Sequence, residues 1–446
     1  MTLHPEAETP DDETESLKRV FGLTTLVIYG VGDILGAGIY AVVGKIVGLS
    51  GSMVWISFLV AMLVAALTAL SYAELGSRLP KSGGVAYFVH TAFRQEWLSM
   101  LVGWLMFCTC LVSMATLSIA FAGYLNAFLP VIPPWAIVLA LFAGLTFVNF
   151  RGMQESSALN IVCTTMEVSG LIVVIFVSVA FVLGGNAPAV TNTLPDGSAI
   201  GITAILQGAA LAFYAFIGFE DIVNVAEEVK NPEQNVPKAI LLALSIAGVI
   251  YILVSWLATR VLTPAELSVS SAPLLDVVRR AQPNFPAVVF TIIALFAVLN
   301  TALLNFVTAS RLLFGMSREG LLPAWLGKLH PARLTPYRTF LVILPIAILL
   351  ALSGTLQFLA GTTATLILVM FCLVNVSLLI VKRRQPHNPG RLKIPAVIPV
   401  LALVSNLILI TFASQASHLL ALAFVAIGLV LIWLHKTIAG RSQLSN

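Results

Sequence analysis

Apolar residues dominate this chain in long uninterrupted runs, at approximately 22–44, 51–74, 97–129, 133–150, 156–184, 201–226, 236–260, 286–316, 336–353, 355–381, 394–413 and 416–436. Gly, Pro and clusters of charge bound each run. A helix needs ~20 apolar residues to cross a bilayer core about 30 Å thick, so the pattern predicts an all-α integral membrane protein with twelve transmembrane helices. A β-barrel would show ten-residue segments alternating apolar and polar, and these runs do not alternate. Between the second and third runs, Gly84 to Phe93 is amphipathic and too short to cross, which predicts an interfacial helix.

Composition agrees with the pattern. Of 446 residues 59% are hydrophobic, only 10% are charged, and mean hydropathy is +0.99. A soluble domain carries about 25% charged residues, so a soluble enzyme is excluded. The net charge of +4 has to be tested first as an orientation signal. With twelve spans both termini share one side, and 20 of the 24 Lys and Arg residues fall on it, leaving Lys45, Arg260, Arg279 and Arg280 opposite. By the positive-inside rule that side is the cytoplasm, which places the chain as a multi-pass protein of the cell membrane; the basic excess then says nothing about nucleic acid. Residues 1–21 form an acidic tail with no apolar run in residues 1 to 16, unlike a signal peptide, and 437–446 form a second cytoplasmic tail. Cys108, Cys110, Cys163 and Cys372 all lie in apolar stretches, without disulfide or metal spacing.

Two runs are interrupted. The first reads Val31-Gly32-Asp33-Ile34-Leu35-Gly36-Ala37-Gly38-Ile39-Tyr40, and the sixth reads Phe213-Tyr214-Ala215-Phe216-Ile217-Gly218-Phe219-Glu220-Asp221. Glycine inside a helix costs about 1 kcal/mol, and small residues in membrane helices often serve close packing. A second interruption five spans later, again flanked by acids, favours a site instead, because interrupted helices at matching places in two halves mark transporter binding sites. A broken helix frees N–H groups at one half's N-terminus and C=O groups at the other's C-terminus, a pair that can hold the carboxylate and ammonium of an amino acid.

Charges at bilayer depth cost at least ~2.5 kcal/mol each and are functional candidates, here Asp33, Glu167 and Glu220, with Asp221 beside them. Asp33 and Glu167 each lie 11 residues into a span that starts at the cytoplasm, roughly 16 Å deep at 1.5 Å per residue. No Lys, Arg or His shares that depth, so neighbouring carboxyls there share a proton, hold a cation, or await a positively charged substrate. Glu167 has a plainer alternative, a protonated group bonded to the next helix. Two stripes at helical spacing, Thr109, Ser113 and Thr116 in span 3 and Thr301, Asn305 and Thr308 in span 8, either line a pathway or bond back to their own helices.

These residues identify a resemblance. Gly36-Ala37-Gly38-Ile39-Tyr40, Ser71-Tyr72-Ala73-Glu74-Leu75, Arg78-Leu79-Pro80-Lys81-Ser82-Gly83-Gly84, the span-6 sequence Phe213 to Glu220, Ala226-Glu227-Glu228-Val229-Lys230-Asn231-Pro232 and Arg311 to Gly320 follow one another in collinear order. The chain resembles the amino acid–polyamine–organocation transporter family, in particular bacterial relatives of the cationic amino acid transporters. The resemblance implies a LeuT-like 5+5 inverted repeat, with repeats at 22–184 and 201–381 and two additional helices at 394–436. It implies alternating access, and an amino acid held at the two breaks. Gly36, Ala37 and Gly38 would bind its carboxylate, the carbonyls of Ile34, Tyr214 and Ile217 its ammonium, beside Gly218; Tyr214 and Phe216 would border its side chain, the aromatic acting as a gate. Glu220 falls where the family commonly keeps an acid, proposed to respond to protonation. Aligning Gly152-Met153-Gln154-Glu155-Ser156 puts Glu167 where several proton-coupled members have a lysine, which reverses the sign of the group. The expectation is that Glu167, level with Asp33, serves as proton carrier or as part of a cation site.

The expected function is therefore secondary active amino acid transport, inward and coupled to protons or another cation, with no cofactor, no metal and no enzymatic activity. There is no GxxxxGK[ST] for ATP, and His4, His90, His330, His387, His418 and His435 all lie in loops, tails or span ends. An amino acid/amine antiporter, a carrier of polyamines or other organocations, and a non-transporting amino acid sensor are the alternatives.

Overall fold

The computed structural model describes residues 19–81, 83–151, 157–188, 193–194, 197–331, 333, 335–385 and 390–443. Most of the acidic tail, Ser82, the 152–156 segment and the last three residues lie outside the described residues. The helices are α1 (Leu23–Leu35), α2 (Ala37–Ser50), α3 (Val54–Arg78), α4 (Gly84–Phe93), α5 (Glu96–Phe128), α6 (Pro134–Arg151), α7 (Ser157–Leu183) and α8 (Ile202–Ala212). After two 3-10 segments, Phe213–Phe216 and Phe219–Glu228, come α9 (Pro232–Val261), α10 (Pro264–Val269), α11 (Pro273–Ala281) and α12 (Ala287–Arg318). The chain ends with α13 (Phe340–Ser353), α14 (Leu356–Arg384), α15 (Val397–Phe412) and α16 (Gln415–Gln443). Among the described residues β structure is limited to two isolated bridges.

Among the described residues nine stretches are long and apolar enough to cross a membrane, the first being the 56-residue Leu23–Arg78, and the helices Gly84–Phe93, Tyr337–Ser353 and Val397–Phe412 are apolar but shorter. Local chemistry sets several boundaries. Pro232, Pro264 and Pro273 open α9, α10 and α11, where a missing N–H costs nothing. Thr263 and Glu266 cap α10 reciprocally. Hydroxyls in the long helices bond back one turn, as Thr362 does to the Phe358 carbonyl at 2.9 Å, so they need no partner elsewhere.

The centre is built by α3 against α9 and α5 against α12, with α1 lying on α9. Around it, α6, α13, α15 and α16 expose large apolar side chains such as Phe147, Leu349, Leu407 and Trp433, as expected of surfaces whose solvent is lipid. The expected interfacial helix α4 is more deeply engaged: Val85, Phe88, Val89 and Ala92 are buried as it packs on α5 and α14.

One charged knot fastens the later helices to the core. Glu74 on α3, fully buried, accepts from Arg78 on Oε1 at 2.6 Å, and its Oε2 accepts from Lys382 of α14 at 2.8 Å and from the Ile394 N–H at 3.0 Å. Beside it the Ser77 hydroxyl accepts the Arg391 N–H at 2.7 Å. The residues just before α1 are tied to the end of the second 3-10 segment by Val20 N–H to the Glu228 carbonyl at 2.8 Å, and to the residues after it by Lys230 N–H to the Phe21 carbonyl at 2.9 Å.

Candidate functional site

Both sequence interruptions are real breaks. α1 stops at Leu35, Gly36 turns the chain with φ −49° and ψ −150°, and α2 starts at Ala37. α8 stops at Ala212, tightens into a 3-10 turn, runs extended at Ile217, and turns at Gly218 with φ +127°, a conformation that glycine alone adopts freely.

The breaks touch each other. A Cβ on Gly38 would come within 2.7 Å of Ala215 Cα, and one on Gly218 within 2.9 Å of the Asp33 carbonyl group. These glycines therefore serve the contact of two backbones. Around it lies a cavity of about 90 Å3, walled by Asp33, Ile34, Gly36, Ala37 and Gly38 from the first break and by Tyr214, Ala215, Ile217, Gly218, Glu220 and Asp221 from the second. Seven of the eight residues expected to hold substrate thus converge on one cavity. Phe216 does not reach it: fully buried, it stacks edge-on against Phe58 and Tyr251, supporting the break from behind.

The freed backbone groups have identifiable partners. The Ala37 N–H donates to the Thr301 hydroxyl of α12 at 3.2 Å. The Tyr251 hydroxyl of α9 donates to the Ile34 carbonyl, leaving that oxygen its second lone pair. The Gly218 N–H donates to Glu220 Oε2 at 2.8 Å. Tyr214 is fixed by a hydroxyl–hydroxyl bond to Ser113 at 3.2 Å, and Asn305 donates to Ser113 at 3.3 Å and to the Thr301 carbonyl at 3.0 Å.

Of the acids, Asp33, Glu220 and Asp221 line the cavity, and no Lys, Arg or His among the described residues does. Glu220 is 2% exposed; its Oε1, like Asp33 Oδ2, is buried without a hydrogen-bond partner among the described residues. Asp221 accepts from Asn224 at 2.8 Å. Glu167 sits outside the cavity wall on α7, fully buried, where Asn300 of α12 donates to its Oε1 at 3.1 Å and the Tyr40 hydroxyl to its backbone carbonyl at 2.7 Å. Among the described residues no group of three or more His, Cys, Asp or Glu is arranged to hold a metal ion.

Of the two polar stripes, Thr109, Ser113, Thr301, Asn305 and Thr308 line the cavity, and Thr109 and Thr301 also bond back to the Leu105 and Ala297 carbonyls. Thr116 instead bonds back to the Val112 carbonyl at 2.9 Å. Sequence reasoning missed Tyr251. Its signal was a lone phenol inside an apolar helix, since a buried tyrosine hydroxyl requires a partner.

Comparison with known proteins matches residues 21–435 to the amino acid permease family model. The chain is 30% identical to the branched-chain amino acid permease BcaP of Bacillus subtilis, covering 95% of this chain and 94% of that protein. It is 27% identical to the methylthioribose transporter of the same organism, over 97% and 96% of the two chains. It is 30% identical to the mouse cationic amino acid transporter 4, over 84% of this chain and 61% of the mouse protein. The relatives are transporters and permeases, not enzymes, and the expected resemblance holds along nearly the whole length. A helical chain whose two broken segments meet around a small cavity, and whose sequence fits that model over residues 21–435, belongs to the amino acid permease family.

Proposed function

We propose that this protein is a secondary transporter that carries an amino acid across the cell membrane by alternating access. The observation that carries the reading is the meeting of two broken helices at one cavity walled by residues of both breaks. Twelve crossings follow if Leu23–Arg78 divides at the loop after α2 and the shorter α13 and α15 also cross; its 56 residues would span about 84 Å as helix, enough for two passages. The repeats then run over 22–184 and 201–381, followed by two additional helices at 394–436, with both termini cytoplasmic.

In this reading the N-terminus of α2, at Gly36, Ala37 and Gly38, binds the substrate carboxylate. Thr301 occupies the Ala37 N–H until the carboxylate displaces it. The carbonyls of Ile34, Tyr214 and Ile217 receive the ammonium, and Gly218 lets the two chains approach. Phe216 stiffens the wall instead of contacting substrate. Asp33, Glu220 and Glu167 form the coupling group for a proton or another cation. The absence of a basic residue from the cavity wall, among the described residues, favours as a second reading a substrate with a cationic side chain; the relatives named above include a branched-chain and a cationic amino acid carrier.

A thermal-shift screen of the purified protein against the twenty amino acids at two pH values, followed by uptake of the stabilising ones into proteoliposomes, tests the reading. Stabilisation without flux would make the protein a sensor. Trans-stimulation with no response to a pH gradient would make it an exchanger. Glu167→Gln with unchanged rate and unchanged pH dependence would remove Glu167 from the coupling group.

A further inference from the structure

A second cavity, of about 490 Å3, opens at the far end of α2, between the ends of α5, α13 and α14 and the segment that carries α10. Its walls combine apolar groups, among them Trp135 and Leu356, with Asn126 and Ser271, and among the described residues its one charged residue is Lys45. Lys45 is half-buried and donates to the Ser268 carbonyl at 2.9 Å, which uses one of its three N–H groups. The other three cations on that side are engaged: Arg280 pairs with Glu266 at 2.7 Å, Arg279 with Asp276 at 3.8 Å, and Arg260 lies over the Trp256 ring at 5.2 Å. Lys45 forms no ion pair among the described residues, and no acid lines its cavity.

Lys45 stands eight residues along α2 from Ala37, about 12 Å from the substrate break. Between them Tyr40 is fully buried, its carbonyl accepts the Tyr124 hydroxyl at 3.0 Å, and the two cavities share no lining residue. The cavity is therefore a compartment outside the closed barrier, sized for a small molecule, with one under-used ammonium in an amphipathic wall. We propose that it is an antechamber which captures the α-carboxylate of an amino acid at Lys45 before the barrier opens and the carboxylate passes down α2 to the Gly36–Gly38 turn. This rests on the transporter reading and on the orientation that puts Lys45 outside.

The test is Lys45→Cys in right-side-out vesicles, with the wild type as control because Cys108, Cys110 and Cys163 are buried and Cys372 is only partly exposed. Labelled leucine or arginine serves as probe, whichever the wild type carries. Loss of one charged hydrogen bond should raise the external KM about tenfold and leave the maximal rate unchanged. The KM measured from the inner face should not move. An aminoethyl methanethiosulfonate, which restores an ammonium, should bring the external KM back to within twofold; the sulfonatoethyl reagent should not. Lys45→Arg should stay near wild type. Equal shifts of external and internal KM, equal rescue by both reagents, an unlabelled cysteine, or a rescue that vanishes in vesicles without anionic lipid would each overturn the proposal. Failure of the wild type to carry either amino acid would instead count against the transporter reading.

Discussion

Gly218→Ala is the sharpest probe of the contact between the two breaks. Gly218 sits at φ +127°, where an L-residue costs roughly 1–3 kcal/mol. Its Cβ would also stand 2.9 Å from the Asp33 carbonyl carbon and oxygen, about 0.5 Å inside ordinary contact, and the obstacle is backbone, which cannot rotate away. Overpacking of that kind costs ~1–3 kcal/mol. The two terms together, ~2–6 kcal/mol, correspond to a fall of about 30-fold or more in the population with the breaks in contact. Initial uptake rates in proteoliposomes should drop by at least that factor, and the melting temperature of the purified protein shows whether the loss is local or global. Gly144→Ala is the control, because a Cβ there meets nothing within 4 Å and a helix interior gains up to about 1 kcal/mol from the exchange. A Gly218→Ala protein with wild-type melting and uptake within twofold of wild type would refute the argument that this glycine is required by the approach of α1.

Tyr251→Phe removes the hydroxyl bonded to the Ile34 carbonyl; a bond of this kind contributes ~1 kcal/mol net, so substrate affinity by thermal titration should weaken several-fold, and unchanged affinity would dismiss Tyr251 as a positioning residue. Glu74→Gln leaves Arg78 and Lys382 without their carboxylate in a buried knot, which should cost about 3–5 kcal/mol and lower the melting temperature markedly. Arg391→Ala, which removes only the exposed 3.7 Å pair with Glu233, should melt as wild type does. Hydrogen bonds from the Thr263 N–H and hydroxyl, then the Arg280 guanidinium, hold the Glu266 carboxyl below its ordinary value of 4.5. The fold favours the ionised form, so this contribution is present above that value and is lost as pH falls through the lowered one. Exchange protection of α10, corrected for intrinsic rate, should step down below pH 4.5 in wild type and show no step in Glu266→Gln.

The cavity was largely legible in advance because its parts are backbone conformations. Gly36, Gly38 and Gly218 announce a break by occurring where a membrane helix has no use for them, and acids at that depth announce chemistry by their cost. Which acids act together was not legible. Asp33 and Glu167 share a depth, yet depth is one coordinate; rotation of α1 and α7 places Asp33 on the cavity with Asp221 and leaves Glu167 outside its wall against Asn300. Phe216 is the same case, since the direction of a side chain in a 3-10 turn follows from its packing partners Phe58 and Tyr251.

The sequence by itself determined the solvent, the helical class and the places where helices break, because hydropathy, helix length and glycine content are local sums along the chain. The tertiary structure alone decided that the two breaks meet within contact distance and that Thr301 and Tyr251 hold their freed groups. It alone decided that Lys45 faces a cavity without a counter-charge. Each of these depends on how helices far apart in sequence are rotated against one another, and the lipid-like uniformity of the apolar runs carries little record of that rotation.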